Sequence, residues 1–220
     1  GVEYIAAKAD KVRKEGNGWL VELSTGDRLS TGILVNAAGA SGGADICRQA
    51  GMDLPIHSKK RCVFSFECRE TLANFPLLVD PNGTYVRPEG AGFICGVSPA
   101  ADQDPDSNDF DVDYGLFEEH IWPTLATRVP AFEAIKPGAA WAGHYDMNHF
   151  DHNAFVGAAD GIEGFFLALG FSGHGLQQAP AVGRGLSELI ATGGYQTLDL
   201  SPLGLHRLSK GTPLIERNVV

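Results

Sequence analysis

The chain lacks any excess of positive charge: 17 Lys and Arg stand against 27 Asp and Glu, a net charge of −10. That balance argues against nucleic acid or an anionic membrane surface as partner, since both select basic patches. No apolar run approaches the roughly 18 residues needed to span a bilayer. Cysteine is scarce, with four residues and no CxxC pair. Cys62 and Cys68 fall in one strand-like run, where six residues at about 3.3 Å each hold them roughly 20 Å apart. They cannot pair without breaking that strand. Reduced thiols point to a cytoplasmic protein, or one of the mitochondrial matrix if its source is a eukaryote. Internal repeats and low-complexity tracts are also missing.

What is present suffices for a core. With 44% hydrophobic residues, 220 residues fit one domain or two interleaved lobes. Residues 2–6, 9–13 and 19–23 read as strands, with the glycines of residues 15–18 turning the second into the third. Residues 33–37 form an apolar run suited to a strand buried on both faces, and residues 44–50 a short helix ended by Gly51. Alternation over residues 61–67, then 77–79, 83–87 and 92–96 at hairpin spacing, predicts an antiparallel sheet. Residues 100–109 are acidic and rich in turn formers, and read as a mobile solvated loop without the pattern of a calcium site. Residues 114–129 read as an amphipathic helix broken or kinked at Pro123, and residues 176–191 as a last long helix ending at Gly193. The fold class is α+β.

The densest chemical signal is residues 170–180, GFSGHGLQQAP. It follows the apolar strand of residues 164–169 and feeds a helix. A glycine-rich turn there aims backbone N–H groups and the positive helix end at one point, suited to an anion or an electron-rich carbonyl. Taken alone, the same residues also suit a plain strand-to-helix turn in which His174 merely packs.

This loop resembles the flavin loop of the D-amino-acid oxidase, glycine oxidase and sarcosine oxidase family of FAD enzymes. Residues 33–41, ILVNAAGAS, resemble the strand and turn by which those chains return to the flavin domain. Residues 141–157, from WAGHYD through DHN to FVG, resemble the strand beneath their flavin ring. Residues 196–202, QTLDLSP, are similar to a branch linked to assembly of a respiratory complex. Family members open with a GxGxxG unit holding the FAD pyrophosphate. None occurs here; the nearest approach, residues 39–43, has the wrong spacing. The chain is therefore expected to be a C-terminal fragment of a longer flavoprotein, inactive alone.

The resemblance divides the chain into residues 1–52 as part of a FAD-binding lobe, 53–140 as an antiparallel-sheet substrate lobe, and 141–220 as the return to the FAD lobe. It implies non-covalent FAD, held by Ala9, Gly39, Ala40, Gly170, Ser172, Gly173, His174, Gly175 and Leu176. Amide groups of the loop would stabilise charge that gathers on the reduced flavin, with His174 adding positive charge. Tyr145 occupies the position at which amino-acid oxidases of the family carry a carboxylate-gripping arginine. Gln177 replaces a substrate-binding lysine of sarcosine oxidases, and Ile94 a lysine that promotes reaction with oxygen. These departures favour a dehydrogenase over an oxidase. His174 and Tyr145 remain the catalytic candidates. Tyr85, Arg87, His144 and Gln177 are the substrate-binding candidates, although Arg87 equally suits a surface position on a hairpin.

His144, His149, His152, Asp146 and Asp151 are dense in ligand types but match no common zinc spacing, so no metal is assigned. The expected activity is oxidation of a primary or secondary amine or amino acid to an imine, with an unidentified electron acceptor. The alternative is a FAD-binding, non-catalytic assembly protein acting through a protein partner.

Overall fold

A computed structural model of the chain describes residues 1–217; Asn218, Val219 and Val220, which close the expected 141–220 span, lie outside the described residues. The chain forms two compact units. One comprises Gly1–His57 together with the segment from Tyr145 onward, and the other Ser58–His144.

In the first unit, β1 (Ala9–Glu15), β2 (Gly18–Leu23) and β3 (Arg28–Thr31) make an antiparallel meander. Residues 2–6, expected as a strand, join no strand; Val2 and Tyr4 are almost wholly exposed. Alternation is a local signal, but a strand exists only where a neighbour pairs with it. β4 (Leu34–Asn36) leads into α1 (Gly39–Gln49), five residues earlier than the expected helix start. After the second unit the chain returns through β10 (Phe155–Ala158), β11 (Phe165–Leu169), α4 (Gly175–Thr192) and α5 (His206–Lys210). β11 runs antiparallel to β10 and parallel to β4, pairing Leu167 with Asn36. β4 is thus an edge strand. It buries Asn36 but leaves Val35 40% exposed, so it is not covered on both faces as its apolar run suggested. Trp19, Val21, Cys47, Ile56, Phe165 and Leu169 form the main core of this unit. A smaller cluster joins α4, through Val182 and Leu186, to Ala154 and Val156.

The second unit is built on a sheet of order β6-β7-β8-β5-β9. The strands are β5 (Ile56–Cys68), β6 (Leu78–Val79), β7 (Tyr85–Glu89), β8 (Gly92–Gly96) and β9 (Ile135–Asn148). β5 and β9 carry the chain into and out of it. Register sorts the side chains cleanly. Tyr85 opposes Gly96, which opposes Val63, and Arg87 opposes Ile94, which opposes Ser65. Val86, Cys95, Phe64, Phe93 and Phe66 point the other way, into an aromatic core with Phe117, Ile121, Leu125 and Phe132. Phe132 meets both Phe66 and Phe93 at ring distances of 5.0 Å, edge-on contacts worth about 0.5–1.5 kcal/mol each beyond area burial.

Two local outcomes differ from expectation. The helical stretch does not break at Pro123. It runs α2 (Tyr114–Leu116), a π turn (Phe117–Ile121), then α3 (Trp122–Arg128). Proline lacks an N–H and its ring crowds the carbonyl four residues back; the wider turn just before it relieves both. The acidic segment is not a free loop either. Three consecutive cations of β5 strap it down. Lys59 pairs with Asp106 at 2.9 Å, Lys60 with Asp109 at 2.6 Å, and Arg61 grips both carboxylate oxygens of Asp104 at 2.9 Å. Ser58 adds an Oγ bond to the Ser107 carbonyl at 2.7 Å. The Arg61–Asp104 pair is nearly buried, so solvent screens it less than the exposed pairs.

Candidate flavin-loop site

In the first unit, β4 and β11 are parallel neighbours, so both deliver the chain to the same carboxyl edge of their sheet, where open α/β sheets bind ligands. α1 starts just beyond β4, and the glycine loop and α4 just beyond β11. Neither helix has a side-chain cap at its N-terminus. The first amide groups of each therefore lack an intrahelical acceptor and a capping side chain. A Cβ on Gly39 would meet no atom within 4 Å, leaving open space above the backbone at the start of α1.

The loop itself is rigidly specified. Gly170, Ser172 and Gly173 all have positive φ, at 81°, 50° and 93°. For serine this is a conformation that must be held by its surroundings, and three groups hold it. The Gly170 N–H donates to Asp146 Oδ2 at 2.7 Å and the Ser172 N–H to the Asp146 carbonyl at 3.2 Å. The Asn148 N–H donates to Ser172 Oγ at 3.0 Å. Ser172 is 1% exposed. Burial pushes the Asp146 carboxyl above its ordinary range, and amide donation from Gly170 and Phe171 pulls partly the other way. The His174 N–H bonds the Phe171 carbonyl at 2.9 Å, which leaves the residue as the N-cap of α4 without its ring capping the helix.

Tyr145, on β9, packs its ring against Gly173. The structure thus gathers Tyr145, Gly170, Ser172, Gly173, His174 and Gly175 at one place. Gly39 and Ala40 open α1 at the same sheet edge. Ala9 sits at the start of β1, paired with Leu23 and packed on the main core. Leu176 and Gln177 lie on the first turn of α4, Leu176 at 90% exposure. The remaining candidates belong to the second unit. Tyr85 and Arg87 share one sheet face. The Arg87 guanidinium is engaged by Glu89 and by the Pro88 carbonyl at 3.0 Å. His144 lies edge-on to Phe110 at 4.7 Å, with its Nε2 buried and unpartnered.

Two buried features escaped the sequence. Asp146 drew attention only as a metal ligand type, although aspartate is depleted in strands and its presence in one asks for a local reason. Asp151 forms a two-pronged, buried ion pair with Arg207, at 2.9 and 3.2 Å, and accepts the Leu214 N–H at 3.0 Å. It ties the tail to the turn before β10 instead of joining a metal cluster; among the described residues no three His, Cys, Asp or Glu gather into one. Also among the described residues, no helix is long and apolar enough to cross a membrane.

Known proteins resemble the chain in sequence and in fold. FAD-dependent oxidoreductase domain-containing protein 1 of Xenopus laevis is 47% identical over 173 residues, 77% of this chain and 35% of that protein. The chain therefore spans about a third of the length of that relative. Mitochondrial sarcosine dehydrogenase of Homo sapiens is 27% identical over 173 residues, 75% of this chain and 18% of that protein. The structure of L-proline dehydrogenase from P. horikoshii superposes with a TM-score of 0.81 at 25% identity, covering 94% of this chain and 55% of that one. Two uncapped helix starts at one sheet edge, beside a loop that tolerates no Cβ at Gly173, suit close approach by a flat group bearing electron-rich carbonyls or phosphates, such as FAD. Residues 1–189 match the family described as FAD dependent oxidoreductase, and the chain belongs to that family.

Proposed function

We propose that this protein oxidises a secondary or primary amine or amino acid at its C–N bond, giving an imine that water hydrolyses. The observation that carries the proposal is the loop of residues 170–176, locked by Asp146 and Ser172, with α4 starting uncapped just beyond it at the sheet edge where α1 also starts uncapped. Bound FAD supplies the two-electron acceptor for the C–H and N–H bonds that are lost.

The chain's own groups then have distinct tasks. The backbone N–H groups of Gly173, Gly175 and Leu176 would be the donors to negative charge on the bound cofactor, the His174 N–H being engaged by the Phe171 carbonyl. Gly39 and Ala40 would let the cofactor approach the backbone closely, and Ala9 would contact it through the backbone. His174 stands beside the loop as the N-cap residue of α4. Tyr145, fixed against Gly173, walls the reacting side. Tyr85 and His144 are the substrate-orienting groups assigned in the second unit, and Gln177 is the one assigned in the first. Ile94, cross-strand to Arg87, places an apolar group on that face, and the absence of a lysine there favours a carrier over oxygen as electron acceptor.

A second reading is a FAD-binding assembly protein without turnover. It is favoured by the engagement of Arg87 with Glu89, which occupies the cation among the substrate candidates. The test is an anaerobic absorption spectrum of the flavin-loaded protein before and after adding sarcosine, proline and glycine. Bleaching of the flavin band by one of them supports amine oxidation. A stable flavin band that no amine bleaches moves the assignment to the assembly reading.

A further inference from the structure

The second unit holds a cavity of about 730 Å³ lined by none of the residues assigned above to cofactor or substrate. Its size lies within the range of small-molecule sites. Cys62 and Thr84 line it from the sheet, Val97 to Pro99 and the strapped acidic segment from one side, and the start of the helical stretch from the other. It opens on the sheet face opposite Tyr85 and Arg87, because neighbouring residues on a strand alternate and Val86 points into the aromatic core.

Two hydroxyls set its chemistry. Thr84 is wholly buried and its Oγ1 has no hydrogen-bond partner; the Ser98 Oγ is buried and unpartnered as well. Buried polar atoms are nearly always satisfied, and leaving one unpaired is costly. Two such hydroxyls lining one cavity call for a polar occupant. Charge narrows it further. Asp104 and Asp109 are neutralised by Arg61 and Lys60. Asp113 and Glu119 also line the cavity, and neither has an ion pair among the described residues; Asp113 Oδ1 only accepts the Leu116 N–H at 3.3 Å. An anion would meet these carboxylates unfavourably, and an apolar ligand would leave both hydroxyls unpaired.

We propose that this cavity binds a small hydroxylated organic cation, whose ammonium group meets Asp113 and Glu119 and whose hydroxyls complete the bonding of Thr84 and Ser98. The ion pairs of Lys59, Lys60 and Arg61 hold the wall in place, so binding and the strap are linked.

Glucosamine, glucose and glucuronate share one ring and differ in charge, which makes them direct probes. Each is titrated into the purified flavoprotein by calorimetry. Glucosamine is expected to bind about tenfold more tightly than glucose, and glucuronate not at all. Thr84→Val, which keeps the side-chain shape, is expected to weaken glucosamine about tenfold while leaving the Tm equal or higher, since it removes an unsatisfied hydroxyl. Glu119→Gln is expected to weaken it as well, and the neighbouring Glu118→Gln, which does not line the cavity, to leave it unchanged. Should Thr84→Val fail to fold, Ser98→Ala and Glu119→Gln decide. Equal responses to the three sugars, no glucosamine binding up to about 10 mM, or unchanged affinity in the variants overturns the proposal. A crystal soaked in glucosamine that shows only water between Thr84 and Ser98 overturns it equally.

Discussion

The ring of Tyr145 closes against the Cα of Gly173, so that a Cβ there would stand 2.5 Å from Tyr145 Cε2. The residue proposed to wall the reacting side and the loop proposed to hold the flavin are thereby one packed unit. Gly173→Ala meets two penalties, a φ of 93° that L-residues rarely adopt and displacement of the tyrosine ring. We expect a loss of about 1–3 kcal/mol and loss of bound flavin, measured by thermal unfolding and by absorbance. In a Tyr145→Ala background the steric part disappears and the backbone part remains. A double-mutant cycle with no coupling between the two positions contradicts this account.

Asp146 is expected to matter as an acceptor more than as a charge. Burial raises its carboxyl pKa, so the folded state binds the proton more readily than the unfolded chain. The stability it contributes is therefore full below the ordinary carboxylate range and declines as pH rises through that range toward the folded value. Asp146→Asn, which can still accept from the Gly170 N–H, is expected to remain within about 1 kcal/mol of the parent at neutral pH. Asp146→Ala leaves that N–H unpaired and is expected to cost about 1–3 kcal/mol, read by urea unfolding. Equal losses in both variants would assign the role to the charge.

Glu188 carries the opposite sign. The Thr197 hydroxyl, the Gln196 and Thr197 amides and Arg184 hold its carboxyl down to about 2. Its contribution is present above the ordinary glutamate range and is lost as pH falls toward about 2. The Tm gap between the parent and Glu188→Gln is expected to be widest near neutral pH and to close on acidification. Parallel Tm curves for the two proteins across that window would falsify the assignment.

The Asp151–Arg207 pair has 0% and 4% side-chain exposure. Removing one partner leaves the other charge buried, so Arg207→Met is expected to cost about 3–5 kcal/mol. Replacing both by apolar residues of similar volume is expected to recover part of the loss. Chemical denaturation of the two single variants and the double variant measures this; a double variant as unstable as the sum of the singles contradicts it.

All four cysteines are free. Burial pushes the Cys95 thiol up to about 12 and the Cys47 thiol up to about 11, the latter despite a hydrogen bond from Asn36. The thiolate is the reactive form. Both are expected to resist a thiol-reactive disulfide in the native protein at mildly alkaline pH and to react after unfolding, as peptide mapping of the modified protein will show.

Much of the secondary structure was legible because its signals are local. β5, β7 and β8 followed from alternation, and α4 ended one residue beyond expectation, at Gly193 in the left-handed region. The turn between β1 and β2 was marked by Gly16 and Gly18. The π turn before Pro123 was not legible, since proline announces a perturbation without saying whether the helix breaks or widens. The start of α1 was missed because three of its first five residues are glycine, and the packing of Gly43 on Leu169, not propensity, accounts for a helix there.

By itself the sequence determined the chemistry of the loop at residues 170–176 and its place between a strand and a helix, because glycine spacing and backbone conformation act within a few residues. Only the tertiary structure decided which charge meets which. Lys59, Lys60 and Arg61 find acids more than forty residues away, and Arg207 finds Asp151 across 56 positions. Ion pairing and desolvation depend on distance through space, and distance along the chain carries almost no information about it until the sheets are paired.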